Sequence, residues 1–176
     1  MTRAARLGLW PLFFLAVQAW SAETAALPEF PLQPGPWIEQ ARAGQWIRAR
    51  LTIRLDAERR VEAVVTRSIE AVERDGEARL LRVKSRIEFA GVTETYEERL
   101  RVMPPEADAP PASPQADDLK VAGQKLRCAV SESRLEKSGR KEKVKTWTSA
   151  ALAFGVARVE IDGKPSYEVL EYGPRP

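Results

Sequence analysis

The chain has 176 residues, 44% of them hydrophobic, with 28 basic and 25 acidic side chains, one cysteine and no histidine. That length allows one domain with a sizeable core or two small joined ones, and interleaved, nearly balanced charge argues against a nucleic-acid partner. Without histidine there is no histidine-based metal site, no Ser-His-Asp or Cys-His arrangement and no imidazole acid–base chemistry; one cysteine cannot close an internal disulfide.

Arg3 and Arg6 precede the apolar run Leu7–Val17, which has the length of a signal-peptide core and is short for a membrane span. The small residues Ala19 and Ser21 predict cleavage before Ala22. Residues 1–21 are thus expected to be a signal peptide and 22–176 a single β-rich domain, periplasmic or secreted. No cysteine follows the apolar run, so a lipoprotein anchor is not expected. Removing the leader takes away two arginines and no acid, so the formal charge falls from +3 to +1. No later stretch approaches the length of a membrane span, and none is expected in the mature chain.

Prolines at 28, 31, 34 and 36 make an extended lead-in. Pro36–Ala43 fits a short helix that starts on proline and stops at Gly44. A helix this short needs to pack through Trp37, Ile38 and Ala41. Gln45–Leu55 then alternates cleanly. Ile47, Ala49, Leu51, Ile53 and Leu55 share one face, and Trp46, Arg48, Arg50, Thr52 and Arg54 share the other, the period of a strand. After a turn at Asp56–Arg59, Arg60–Arg74 reads as a long strand, bent by a bulge near Arg67-Ser68. Asp75-Gly76 is a hairpin signal. Glu77–Ala90 points Leu81, Val83, Ser85, Ile87 and Phe89 inward. Gly91 turns the chain into Val92–Val102.

Five prolines between Met103 and Asp118 predict an exposed proline-rich loop at 103–118. The strand pattern resumes over Leu119–Leu135, with Leu126, Cys128 and Val130 on one face. Ser138-Gly139 turns into Arg140–Thr148, and Ser149–Phe154 is a short apolar connection. Val156–Ile161, a hairpin at Asp162-Gly163 and Tyr167–Tyr172 close the chain. The fold class expected is mainly β: a curved antiparallel sheet or partly closed half-barrel of about eight strands with one or two short helices. Whether the segments flanking 103–118 form one continuous sheet is left open.

Paired carboxylates are the remaining route to catalysis. Glu97 and Glu98 face opposite ways on a strand, and Glu94 and Glu98 stand roughly 13 Å apart along one face. No catalytic residue, metal site or cofactor is expected. Cys128 alternates with Leu126 and Val130 and reads as a structural hydrophobe; a reactive thiol is the alternative. Trp46, Arg48, Trp147 and Phe154 are the candidate ligand-binding residues, on the ground that tryptophans on the polar parity of a strand can roof a groove. The competing reading has Trp46 and Trp147 packed against Trp37, a structural residue, and the lead-in.

Gly44-Gln45-Trp46-Ile47, Val121 through Cys128, Trp147-Thr148-Ser149, Phe154-Gly155-Val156 and Glu171-Tyr172-Gly173 occur in an order that resembles poorly characterised secreted bacterial proteins. These are distantly similar in layout to the periplasmic lipoprotein carriers and related lipid-binding half-barrels. The resemblance implies a curved antiparallel sheet with helices on its concave side, and the handling of acyl chains or lipidated partners. With no catalytic constellation and with exposed edge strands expected, the chain is expected to be a non-enzymatic envelope protein with a structural or protein-binding role. The alternative is a carrier or sensor of a lipid or other hydrophobic ligand.

Overall fold

Alternation of side chains along each strand, and a glycine with positive φ at each described two-residue turn, produce a single antiparallel meander. The computed structural model describes residues 30–32, 35–54, 60–103, 115–137 and 140–174, and the elements below all belong to the unit Leu32–Pro176. A one-turn helix, α1 (Trp37–Gln40), precedes nine strands among the described residues. They are β1 (Gln45–Arg54), β2 (Arg60–Asp75), β3 (Ala78–Phe89), β4 (Val92–Val102), β5 (Gln115–Val121), β6 (Gln124–Lys137), β7 (Arg140–Thr148), β8 (Val156–Ile161) and β9 (Lys164–Pro174). The sheet order is β4-β3-β2-β1-β9-β8-β7-β6-β5. The first and last strands pair, Gln45 opposite Pro174 and Leu51 opposite Tyr167. That pairing joins both halves of the chain into one open sheet and leaves β4 and β5 at its two ends.

The expected alternation holds where it is densest. Ile47, Ala49 and Leu51 of β1 are buried, as are Leu81, Val83, Ser85 and Ile87 of β3, while Arg82, Lys84 and Arg86 are exposed. Cross-strand pairs Ala49–Val65, Val65–Ile87 and Ala49–Val169 carry this apolar face across the sheet. Register shifts interrupt the ladders at Ile69/Ala71, Arg48/Ala49, Trp147/Thr148 and Val159/Glu160. Each adds a residue on one side and bends the strand, which curves the sheet into a half-barrel.

Several boundaries differ from the sequence reading. The stretch 119–135 is two strands, because Ala122 and Gly123 take φ of 49° and 81° and close a two-residue hairpin. Alanine is a poor advertisement for that conformation, so the turn is hidden in the sequence and the described residues hold nine strands, not about eight. Ala90-Gly91 and Asp162-Gly163 use the same pair of positive angles. β5 begins at Gln115, so the last four residues of the proline-rich stretch are strand. The β2–β3 turn is Gly76-Glu77, since Asp75 still pairs with Ala78, and the bulge falls just beyond Ile69. Helix α1 is shorter than Pro36–Ala43 because Ala41 is already extended, with ψ of 127°. The expected leader at 1–21, the turns at 56–59 and 138–139, and residues 104–114 lie outside the described residues.

The apolar face is covered from within the chain. Trp37 and Ile38 of α1 are buried, and the Gly44 N–H donates to the Ile69 carbonyl at 2.8 Å, which fixes the lead into β1. The connection between β7 and β8 folds on itself through Ser149 N–H to Gly155 O at 2.8 Å. It buries Leu152, Ala153 and Phe154. Phe154 and Gly155 both adopt left-handed backbone, φ 67° and 76°. A Cβ on Gly155 would lie 2.4 Å from Trp37 Cδ1, deep in overlap. Gly155→Ala therefore meets both a steric and a conformational cost, and should lower stability by roughly 2–4 kcal/mol. Urea unfolding followed by tryptophan fluorescence measures this; an unchanged midpoint would show that α1 does not dock on the connection.

Candidate functional site

The apolar row of β2 contains a cation. Arg67 stands opposite Ile47 on β1 and Ser85 on β3, and is 3% exposed. Burying a guanidinium is costly unless its charge and donors are met. Here Nε donates to Ser85 Oγ at 3.4 Å, and a terminal nitrogen meets Glu98 Oε1 of β4 at 2.5 Å. The guanidinium carbon lies 4.3 Å from the centre of the Phe154 ring, a cation–π stack in a dry setting. Phe154 in turn packs on Trp37, ring centres 6.0 Å apart.

Two tyrosines edge this cluster. Burial pushes the Tyr167 hydroxyl well above its ordinary range, with the Arg67 charge pulling weakly the other way. Burial also raises Tyr96, against the hydrogen bond with Ser85 and the Arg67 charge. Both phenols therefore stay protonated at neutral pH. They serve as packing and hydrogen-bonding groups rather than as bases.

The four candidate ligand-binding residues do not converge. Trp46 is half-buried on β1; its indole N–H donates to the Pro174 carbonyl at 3.2 Å and its ring lies against Gly173. Arg48 pairs with Glu171 at 3.5 Å across β1 and β9. Trp147 is buried on β7, where its indole N–H donates to Asp117 Oδ2 at 2.9 Å. Lys145 Nζ and Arg158 Cζ flank its ring at 4.7 and 5.5 Å. That indole and the Asp118 N–H hold the Asp117 carboxyl below the usual carboxylate range.

The two tryptophans do share a sheet face. Trp147, Arg158, Glu168 and Arg50 form one cross-strand row, and Trp46 lies four residues along β1 from Arg50. Strand spacing and rise separate them by roughly 14 Å across and 13 Å along the sheet. Phe154 covers the opposite face. Trp37 belongs with Phe154, not with either tryptophan. Cys128 is 2% exposed, its thiol donating to the Leu126 carbonyl at 3.6 Å, and burial pushes its pKa up. Both features disfavour thiolate chemistry.

A groove of about 440 Å³ runs between α1, the β7–β8 connection and the β5–β6 hairpin. Ala116, Ala129 and Thr148 give it small side chains, Pro36 and Trp37 line it from the lead-in, and Arg127 and Cys128 also contribute. Neither Trp46 nor Trp147 lines it.

The sheet ends are the other feature. Among the described residues β4 pairs only with β3, and β5 only with β6. β4 runs eleven residues. Its inward parity, Tyr96, Glu98 and Leu100, is half-buried, and its outward parity, Thr95, Glu97, Arg99 and Arg101, is exposed.

Among the described residues no group of three or more histidine, cysteine, aspartate or glutamate side chains is placed to hold a metal ion. None of their helices is long and apolar enough to cross a membrane. No family model, no curated protein and no solved structure matches the chain. What the chain shows is a mainly β, open, curved antiparallel sheet, and no family is assigned to it.

In the sequence Arg67 marks only an expected bulge and Glu98 only a rejected catalytic carboxylate; their pairing is not read there. A signal existed: Arg67 shares the parity of Ala63, Val65 and Ile69, and Glu98 that of Tyr96 and Leu100. A lone cation on the inward row of β2 and an anion set between Tyr96 and Leu100 on the inward row of β4, two strands away, are a matched pair. Glu98→Gln withdraws the counter-charge from a buried guanidinium and should cost about 2 kcal/mol, reduced from a fully buried pair because Glu98 is partly exposed. Arg67→Met in the same chain should recover most of that loss, since an apolar side chain then fills the site. Equilibrium unfolding of the two variants decides it. A double variant less stable than Glu98→Gln alone would show that the pair is not what the guanidinium depends on.

Proposed function

We propose that this is a non-enzymatic protein of the periplasm or cell exterior that binds a protein partner by accepting a strand along the edge of β4. The observation that supports it most directly is the eleven-residue edge itself, paired on one side only among the described residues. The apolar face, the other place where a half-barrel takes a ligand, is occupied around Arg67 by Phe154 and Trp37. An edge strand offers main-chain hydrogen bonds for affinity and alternating side chains for selectivity. Its exposed Glu97, Arg99 and Arg101 discourage indiscriminate pairing while leaving a charge pattern that a chosen partner can match. The basic head and apolar run at the start of the chain support export.

Photocrosslinking in the native envelope tests this reading. A crosslinker at Thr95 or Glu97 should give a discrete adduct with one protein, and the same group at exposed Arg50 of β1, paired on both sides, should not. Adducts from Arg50 alone, or none from β4, would refute partner binding at this edge.

The groove beside Cys128 favours a second reading, a carrier of a slender apolar ligand. Small side chains on the sheet and Trp37 alongside suit a single chain better than a bulky ring system. Under that reading, native mass spectrometry of the gently isolated protein shows a co-purifying species that is lost when Ala129 is enlarged to Phe. A bare protein throughout counts against it.

A further inference from the structure

The charge order of β4 is self-complementary, and we infer that the partner accepted at this edge is a second copy of the same chain. This rests on the edge reading above and names its occupant. In an antiparallel pair of identical strands, residues equidistant from the two-fold axis face each other. With the axis perpendicular to the sheet at Glu98, Glu97 of each copy faces Arg99 of the other, twice over. Tyr96 faces Leu100, also twice. The first pair lies on the exposed parity and the second on the half-buried parity. The interface thus gains two opposite-charge pairs outside and two apolar pairs inside, which are the stabilising units of a ladder.

The four nearest registers are worse. Moving the axis to Tyr96 loses both Glu97–Arg99 pairs, setting Glu97 against Thr95 and Arg99 against Thr93, and moving it to Leu100 sets Arg99 against Arg101. An axis at Glu97 or Arg99 places that exposed charge opposite itself. The axis at Glu98 also brings two like carboxylates together, but each is held at 2.5 Å by the Arg67 beneath it, within its own sheet. The buried cation therefore removes the one repulsion that this register contains. Both copies present the same parity to the same side, so two nine-stranded sheets continue into one.

Sedimentation equilibrium of the protein purified from cells expressing the full chain tests the proposal with charge reversals. The wild type should show a reversible monomer–dimer equilibrium. Arg99→Glu alone, and Glu97→Arg alone, each put like charges opposite at two positions and should weaken the dimer about tenfold or more. The double reversal, Glu97→Arg with Arg99→Glu, restores both opposite-charge pairs and should return the affinity to near the wild-type value. It carries both substitutions, so a general loss of fold would appear in it too. A wild type that stays monomeric at every concentration, or a dimer indifferent to either single reversal, overturns self-association. If a monomeric wild type still crosslinks from β4 to a different protein, the copy-to-copy proposal fails and the edge reading stands. If it crosslinks to nothing there, both fail.

Discussion

A guanidinium placed inside an apolar sheet face sets the terms for most of this molecule. Desolvating it costs several kcal/mol, and only close compensation makes the position tolerable. The compensation comes from three separate elements: Glu98 on β4, Ser85 on β3 and the Phe154 ring on the β7–β8 connection. Each partner constrains something else. Phe154 reaches Arg67 with a left-handed backbone, a conformation that a bulky side chain holds only when its surroundings enforce it. Gly155 follows because Trp37 leaves no room for a side chain there. The helix, the connection and the edge strand are thereby all tied to one buried charge. The space that a ligand would need above this part of the sheet is taken up in the process.

The second constraint is topological. Adjacent strands in the meander pair with their sequence neighbours, and those contacts are local. The β1–β9 ladder alone brings the two ends of the described chain together. Closing it is the slow, entropically expensive step in assembling such a sheet. It also decides where the sheet stops. With the first and last strands in the middle, the two strands consecutive about the proline-rich stretch become the outer edges. β5 is short and carries Asp117 and Asp118, whereas β4 is long and carries a charge sequence of mixed sign. The difference makes β4 the better candidate for recognition.

Much of the sheet was legible from residue alternation. The strands with clean parity, from Gln45 to Val102 and from Val156 onward, lie close to where their patterns place them. The failures have physical causes. Ala122-Gly123 hides a turn because alanine rarely takes positive φ, and Gln115–Asp118, the start of β5, reads as part of the proline-rich stretch because an edge strand tolerates acids on both parities. The β1–β9 pairing could not be read at all, since alternation says which face a residue takes and not which strand lies beside it. The same limit scattered the candidate site. Trp46, Trp147 and Phe154 are all notable in sequence, yet register separates the first two and the third covers the other face. Arg67 was readable as a charge on an apolar row, but its meaning needed Glu98 two strands away.

Residue-resolved amide exchange along β4 in dilute protein addresses the central claim directly, that this edge is open and available to a partner. In an antiparallel edge strand, alternate N–H groups point to the neighbouring strand and to the outside. The account predicts alternating slow and fast exchange from Val92 to Val102, with uniformly slow exchange over Trp46–Leu51 of β1, which pairs on both sides. Raising the protein concentration should slow the fast positions of β4 selectively. Uniform protection of β4 in dilute protein would mean that the chain covers its own edge, and would contradict the account.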